Sequence, residues 1–232
     1  MKKYLLVFWP IYLTVFLIVL ILTVSGSRAI TTLSENRPVA RGITFVIDAG
    51  HGGEDGGAIS CTGVLESQIN LDVALRLNDL LHLLGYDTVI IRKTDISVYT
   101  EGNTIAQKKL SDLKQRVKIV NESETNFLIS IHQNFFPDSR YSGAQIFYND
   151  TPEAKEIAVT MQNTFLNVLN PGSNRQCAMS KGVYLMEHID QPGLLIECGF
   201  LSNPEEEAKL RSEDYQKKLC CIIAVHLAQA AN

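Results

Sequence analysis

The run Ile43-Thr44-Phe45-Val46-Ile47-Asp48 breaks off into Ala49-Gly50-His51-Gly52-Gly53. A near-continuous apolar stretch of this kind belongs to a strand covered on both faces, as in a parallel sheet flanked by helices. Its sudden end in a glycine-flanked histidine sets a polar, ligand-type side chain at the carboxyl end of that strand. Open α/β sheets gather ligands at such ends. This one segment therefore narrows both the fold class and the place to look for chemistry.

The rest of the chain repeats the alternation. Glu66 to Leu84 carries Ile69, Val73, Leu77, Leu80, Leu81 and Leu84 at three- and four-residue spacing, and Gly85 stands where a helix C-cap belongs. Thr88–Arg92 reads as a second strand, Leu110 to Val120 as a second helix and Phe127–Ile131 as a third strand. Ala144–Tyr148 is a fourth strand, Pro152 to Leu169 a helix, Val183–Met186 and Leu194–Glu197 short strands, and Pro204 through Ala231 mainly helix. The pattern predicts a single α/β domain with a largely parallel twisted sheet between helices.

Ahead of this domain, Met1-Lys2-Lys3 precedes an uncharged apolar stretch from Tyr4 to Val24. Its length of about 20 residues suffices for a membrane-spanning helix, and the lysines orient the remainder outward. A cleaved signal peptide is the alternative, against which stand the long apolar run and the poor site at Ser27-Arg28-Ala29. The expected division is 1–25 anchor, 26–41 polar linker and 42–232 folded domain. The anchor places the chain at the cell membrane with its domain on the extracytoplasmic side. A net charge of −4 and no aromatic–basic alternation give nucleic acid no footing as a partner. The five cysteines lack a C-x-x-C pair, and an odd number cannot all pair within one chain. Most of them read as small buried hydrophobes.

Three residues, His51, Glu66 and His132, end or open regular elements and form the donor set of an open zinc site, in which three protein ligands leave one position to water. Each has a plainer alternative. His51 is equally a turn histidine bonded to backbone. Glu66 suits the first turn of any helix, through the dipole. His132 could be a core histidine satisfied by a carbonyl. The Gly52–Gly57 tract lacks the order and the lysine of a phosphate cradle. Glu197 ends the apolar Gly193-Leu194-Leu195-Ile196, where a carboxylate needs a partner or a function; near a metal-activated water it would serve as general base and then acid. Its structural alternative is an ion pair with Arg92 or Arg116.

Asp48–Gly53, Glu66-Ser67-Gln68-Ile69-Asn70, Ser130-Ile131-His132-Gln133-Asn134 and Ile196–Asn203 together resemble the four signature segments of the zinc-dependent N-acetylmuramoyl-L-alanine amidases, in the family's order, and the resemblance spans Gly42–Ala231. It implies that His51, Glu66 and His132 bind Zn²⁺ and that Glu197 is the catalytic carboxylate. It implies peptidoglycan as substrate, cleaved between the lactyl group of muramic acid and L-alanine. A lone catalytic domain behind an apolar segment looks most like the spore-cortex, germination-associated amidases, which would place it in the forespore–mother cell intermembrane space. Asn134 and Arg116 are candidate substrate contacts. Cys198, beside Glu197, departs from the small aliphatic residue expected there and brings a thiol toward the metal. No wall-binding repeat is present, so targeting falls to the anchor or to a protein partner. A non-catalytic wall-binding scaffold and a zinc peptidase acting on stem peptides are the competing readings.

Overall fold

The computed structural model describes residues 42–124 and 127–230. The anchor expected at 1–25 and the linker expected at 26–41 lie outside them, and no helix among the described residues is long and apolar enough to cross a membrane.

In chain order the elements are β1 (Thr44–Ala49), α1 (Glu66–Leu83), β2 (Asp87–Ile90), α2 (Ile105–Glu122), β3 (Phe127–Asn134), β4 (Gln145–Tyr148), α3 (Pro152–Thr164) with a π-helical extension Phe165–Leu169, β5 (Ala178–Met179), α4 (Tyr184–His188), β6 (Gly193–Phe200), α5 (Pro204–Leu210) and α6 (Glu213–Ala230). The six strands form one sheet in the order β2-β1-β3-β6-β4-β5. β2, β1, β3 and β6 run parallel, while β4 is antiparallel to β6 and β5 follows β4. The sheet is therefore mixed, parallel at its centre and reversed at one edge.

Strand alternation sorts the side chains into two packed layers. Phe45, Ile47, Ile129, Ile131, Leu194 and Ile196 face the core that α1, α3 and α6 cover. Val46, Leu128 and Leu195 face the opposite side, against Val120 of α2 and Leu185 and Met186 of α4. The same alternation carries Asp48, Ser130 and Glu197 onto this second, thinner side.

Three sequence expectations change. Val183–Met186 is not a strand: both edges of β6 are already taken by β3 and β4, and the segment turns into α4, which buries Leu185 and Met186. The second helix starts well before Leu110, because Thr104 accepts from Gln107 N–H while the Gln107 side chain returns to the Thr104 N–H, a capping box. The C-terminal helical region breaks after Leu210, where the Ser212 hydroxyl accepts from Tyr215 N–H to begin α6. Gly85 does take the left-handed conformation, φ +86°, just past α1.

Candidate metal centre and active site

β1, β3 and β6 are adjacent and parallel, so their carboxyl ends deliver His51, His132 and Glu197 to one rim. α1 begins with Glu66 against the same rim. His51, Glu66 and His132 each offer one ligand atom, all within 4.8 Å of one another. His51 Nε2 lies 3.3 Å from Glu66 Oε2, and His132 Nδ1 lies 3.0 Å from Glu66 Oε1. Two imidazoles and one carboxylate converging from three elements make a donor set that fits a divalent metal ion with a position to spare.

The glycines around this group are steric requirements. A Cβ on Gly50 would overlap the His132 imidazole, and one on Gly57 would stand 2.6 Å from Glu66 Oε2 and 2.8 Å from His51 Cδ2. His51 is itself the one non-glycine residue with positive φ, +61°, among the described residues. That conformation is uncommon for a residue with a Cβ and persists where its surroundings impose it.

The imposing groups are visible. Asp55 Oδ2 sits 3.0 Å from His51 Nδ1 and Asp55 Oδ1 lies 2.8 Å from Lys109 Nζ, which leaves His51 Nε2 turned to the ligand cluster. Arg116 donates to Asp48, to Ala49 O at 3.0 Å and to His51 O at 2.7 Å. Arg92, with its side chain wholly buried, donates to Ala49 O, Gly50 O and Ser67 O at 2.8, 3.1 and 2.7 Å. Ser130 completes Asp48 with a hydroxyl at 2.7 Å. Burial raises the cost of the Asp48 charge, but Arg116 overcomes it and holds the carboxyl below its usual range. Glu66 is braced by Ala58 N–H, Gln133 N–H and the Asn70 amide at 3.0, 3.2 and 3.2 Å. Burial opposes its charge too, and the two histidines outweigh burial, so its pKa is lowered. For His51 the penalty of burial is likewise overcome, by Asp55 and Glu66, and its pKa rises to about 9.

Glu197 contrasts with all of these. It pairs in register with His132 across β3–β6 and with Gln145 across β6–β4. Its Oε2 is enclosed and has no hydrogen-bond partner among the described residues. Burial pushes its pKa up to about 7, with His132 pulling the other way. It shares a cleft of about 380 Å³ with His51, His132, Lys109, Val183 and Leu195. A carboxyl group that changes protonation near neutrality, enclosed beside a metal-type cluster, has the properties of a proton carrier.

Neither arginine considered as an ion-pair partner of Glu197 touches it. Arg116, expected as a substrate contact, borders the same cleft but is 3% exposed, with its donors engaged by Asp48, Asp112 and two carbonyls, so what the structure shows of it is a backbone clamp. Asn134 is half-buried at the β-bulge beyond His132, with its carbonyl taken by Leu201 N–H at 2.8 Å. Cys198 points into the α1/α6 core, because neighbours along a strand face opposite ways, so its thiol is turned from the cluster; burial raises it well above the ordinary thiol pKa. Cys198 and Cys220 are buried, Cys177 is intermediate, and Cys61 and Cys221 are exposed, so burial accounts for two of the five and all are free. Asp48, Asp55 and Asn70 were not singled out from sequence for this site, and Arg92 only as an alternative ion-pair partner of Glu197. Asp55 alone carried a local signal, a carboxylate four residues after His51 in a glycine-rich turn.

The geometry agrees with relationships across whole chains. A germination-specific N-acetylmuramoyl-L-alanine amidase of Bacillus subtilis is 39% identical over 184 residues, covering 78% of this chain and 77% of that protein. The CwlD amidase of Clostridioides difficile, solved in complex with the GerS lipoprotein, superposes with a TM-score of 0.77 at 36% identity, covering 81% of this chain and 98% of that one. An N-acetylmuramoyl-L-alanine amidase from Clostridium difficile 630 superposes with a TM-score of 0.70 at 30% identity, covering 81% and 95%. The family signature itself matches residues 45–229, essentially the entire described sheet and its helices, and on this ground the chain belongs to the N-acetylmuramoyl-L-alanine amidase family.

Proposed function

We propose that this amidase hydrolyses the bond between the lactyl carbonyl of N-acetylmuramic acid and L-alanine with Zn²⁺ held by His51, Glu66 and His132, and with Glu197 as the proton carrier. The observation that carries the reading is the enclosed, unpartnered Oε2 of Glu197 beside a three-donor cluster. A bound zinc ion supplies Lewis acidity, polarising the lactyl carbonyl and lowering the pKa of water. Glu197, held near neutrality by burial, takes the proton of the attacking water as carboxylate. It then returns that proton to the alanine nitrogen, so the amine leaves neutral and the lactyl group leaves as an acid. Asp55 keeps the His51 ring turned through the Nδ1 contact, and Glu66 is held between both imidazoles.

We assign the enzyme to spore-cortex maturation, with the 39% identity to a germination-specific amidase as support. Tyr4–Val24 would anchor it at the membrane with the domain outside the cytoplasm, where peptidoglycan lies. The related CwlD amidase bound to the GerS lipoprotein supports a protein partner here as well.

The test is mass spectrometry of defined muropeptides after incubation with the zinc-loaded full chain, alongside Glu197→Ala. The expected product is an intact stem peptide with a free L-alanine amine, absent with the variant, which retains zinc. Cleavage inside the peptide would reassign the enzyme as a peptidase. Wild-type turnover by Glu197→Ala would remove Glu197 from the role, and full zinc occupancy in His132→Ala would remove His132 from the ligand set.

A further inference from the structure

A second cleft lies on the far side of β6 from the metal-type cluster. On β4, Gln145 stands directly opposite Glu197, and directly opposed residues of an antiparallel pair share a face. Gln145 Oε1 accepts from Arg175 Nη1 at 2.7 Å. Arg175 also donates from Nε to Ser142 O at 2.7 Å, and its guanidinium lies over the Phe200 ring, 4.4 Å from the centroid. These three contacts fix the side chain at the wall of this second, polar cleft of about 790 Å³, which Gln145, Asn174, Arg140 and Lys209 also line.

What Arg175 lacks is a counter-ion. It forms no ion pair among the described residues, and its Nη2 has no hydrogen-bond partner among them. Glu205 and Glu206 also line this cleft; neither forms an ion pair with Arg175, and although the Glu206 charge favours the guanidinium, its oxygens are committed elsewhere. Glu206 Oε1 accepts from Gly143 N–H at 2.8 Å and Asn170 Nδ2 at 3.3 Å, and its Oε2 accepts from Phe200 N–H at 2.8 Å. Asp138 is paired with Arg140 at 2.6 Å. A half-buried guanidinium held by a carbonyl, an amide and an aromatic face, with donors left over, is prepared for a planar anion.

We propose that Arg175, oriented by Gln145 and Phe200, binds a carboxylate of the stem peptide and so fixes which half of the substrate lies on the β4 side of the site. The inference rests on Glu197 marking the scissile bond. Opposed side chains start about 5 Å apart, so with the Gln145 contact added the guanidinium sits roughly 10 Å from the Glu197 carboxyl. An extended chain advances about 3.5 Å per residue, so that gap is the reach of two to three residues. N-acetylated sugars carry no charge, whereas a peptide with an acidic second or third residue places a carboxylate at that range. Charge therefore assigns the Arg175 cleft to the departing peptide and leaves the glycan to the α2/α4 side.

The test compares two substrates with the zinc-loaded full chain: N-acetylmuramoyl-L-alanyl-D-glutamate with its α- and γ-carboxylates free, and the same compound with both carboxylates amidated. Wild type is expected to favour the free acid about tenfold in kcat/KM, with the difference in KM, as for loss of one charge-assisted hydrogen bond. Arg175→Gln should erase the preference by raising KM for the acid. Arg175→Lys should restore part of it, and Lys209→Gln should leave it intact. Equal use of both substrates by wild type, a comparison that needs no variant to fold, overturns the inference while leaving the amidase reading in place. So does a full preference retained by Arg175→Gln. If wild type cleaves neither substrate, the site reading fails and this inference falls with it.

Discussion

The two sides of the rim are built on opposite principles. On the β1/α1/α2 side, the ligand residues and the backbone that carries them are held by hydrogen bonds, although Ser67 Oγ on α1 is buried without a partner among the described residues. Arg92 and Arg116 between them grip the carbonyls of Ala49, Gly50, His51 and Ser67, and Glu66 is held by two backbone amides, Asn70 and both histidines. On the β6 side, Glu197 has an enclosed oxygen with no partner at all among the described residues. The first side must present ligand atoms at fixed spacing, and a saturated network over-determines a strained backbone such as that of His51. The second must let a proton come and go near neutrality, which a partnered carboxylate could not do because hydrogen bonds to the charged form lower its pKa.

The largest effect expected is on the saturated side. Arg116→Met leaves Asp48 buried without its cation, which should cost about 4 kcal/mol in denaturant unfolding, while Asp48→Leu/Arg116→Met should recover most of the loss. A single-variant loss below about 1 kcal/mol would show that the clamp does not carry the site.

Next is Glu197 in the metal-stripped protein. Burial raises its pKa from 4.5 to about 7, so the folded chain holds a proton that the unfolded chain has lost between those values. The Glu197 contribution to wild-type stability should therefore fall as pH rises from 4.5 through 7 and then level off, while His51, raised from 6.5 to about 9, adds a loss of its own above that range in wild type and variant alike. Glu197→Gln cannot ionise, and should be more stable than wild type by roughly 3 kcal/mol at pH 8 and by nothing comparable at pH 4. A pH-independent difference would contradict the unpartnered carboxylate. Zinc adds positive charge nearby, so the acid limb of wild-type turnover should fall below that midpoint.

A smaller effect is expected at Asp55. Asp55→Asn keeps the shape but not the charge behind His51, and metal affinity measured by chelator competition should weaken ten- to a hundredfold with the fold intact. Unchanged affinity would leave Asp55 as a partner of Lys109 only. The smallest is Thr104→Ala, which opens the capping box of α2 and should cost about 1 kcal/mol in thermal unfolding, without altering metal content.

Much of the central sheet was legible because its signal is local. Buried parallel strands are written as apolar runs, so β1, β3 and β6 appear in the sequence, as does α1 with its Gly85 stop. The reversed edge was less legible. Gln145–Tyr148 looks the same whichever way it runs, and Ala178–Met179 is too short to carry a period. Val183–Met186 has the composition of a strand and becomes α4, because both sides of the neighbouring β6 are taken by β3 and β4. Among functional positions, His51, Glu66, His132 and Glu197 stood out by lying at element ends. Arg116 also stood out, but a sequence cannot distinguish an arginine that faces solvent from one locked on Asp48.

What the sequence determined by itself was which segments become the central strands and which polar residues follow their apolar runs, since hydrophobic periodicity and glycine positions are properties of neighbours along the chain, although β3 runs on to Asn134 and β6 to Phe200. The tertiary structure decided who meets whom. The parallel order β1-β3-β6 brings the three ends together, the register sets Gln145 across from Glu197, and folding α2 over the sheet puts Arg116 on Asp48. Each of these contacts joins distant segments, and its energy depends on burial and lost solvation, which no stretch of sequence contains until the chain has packed.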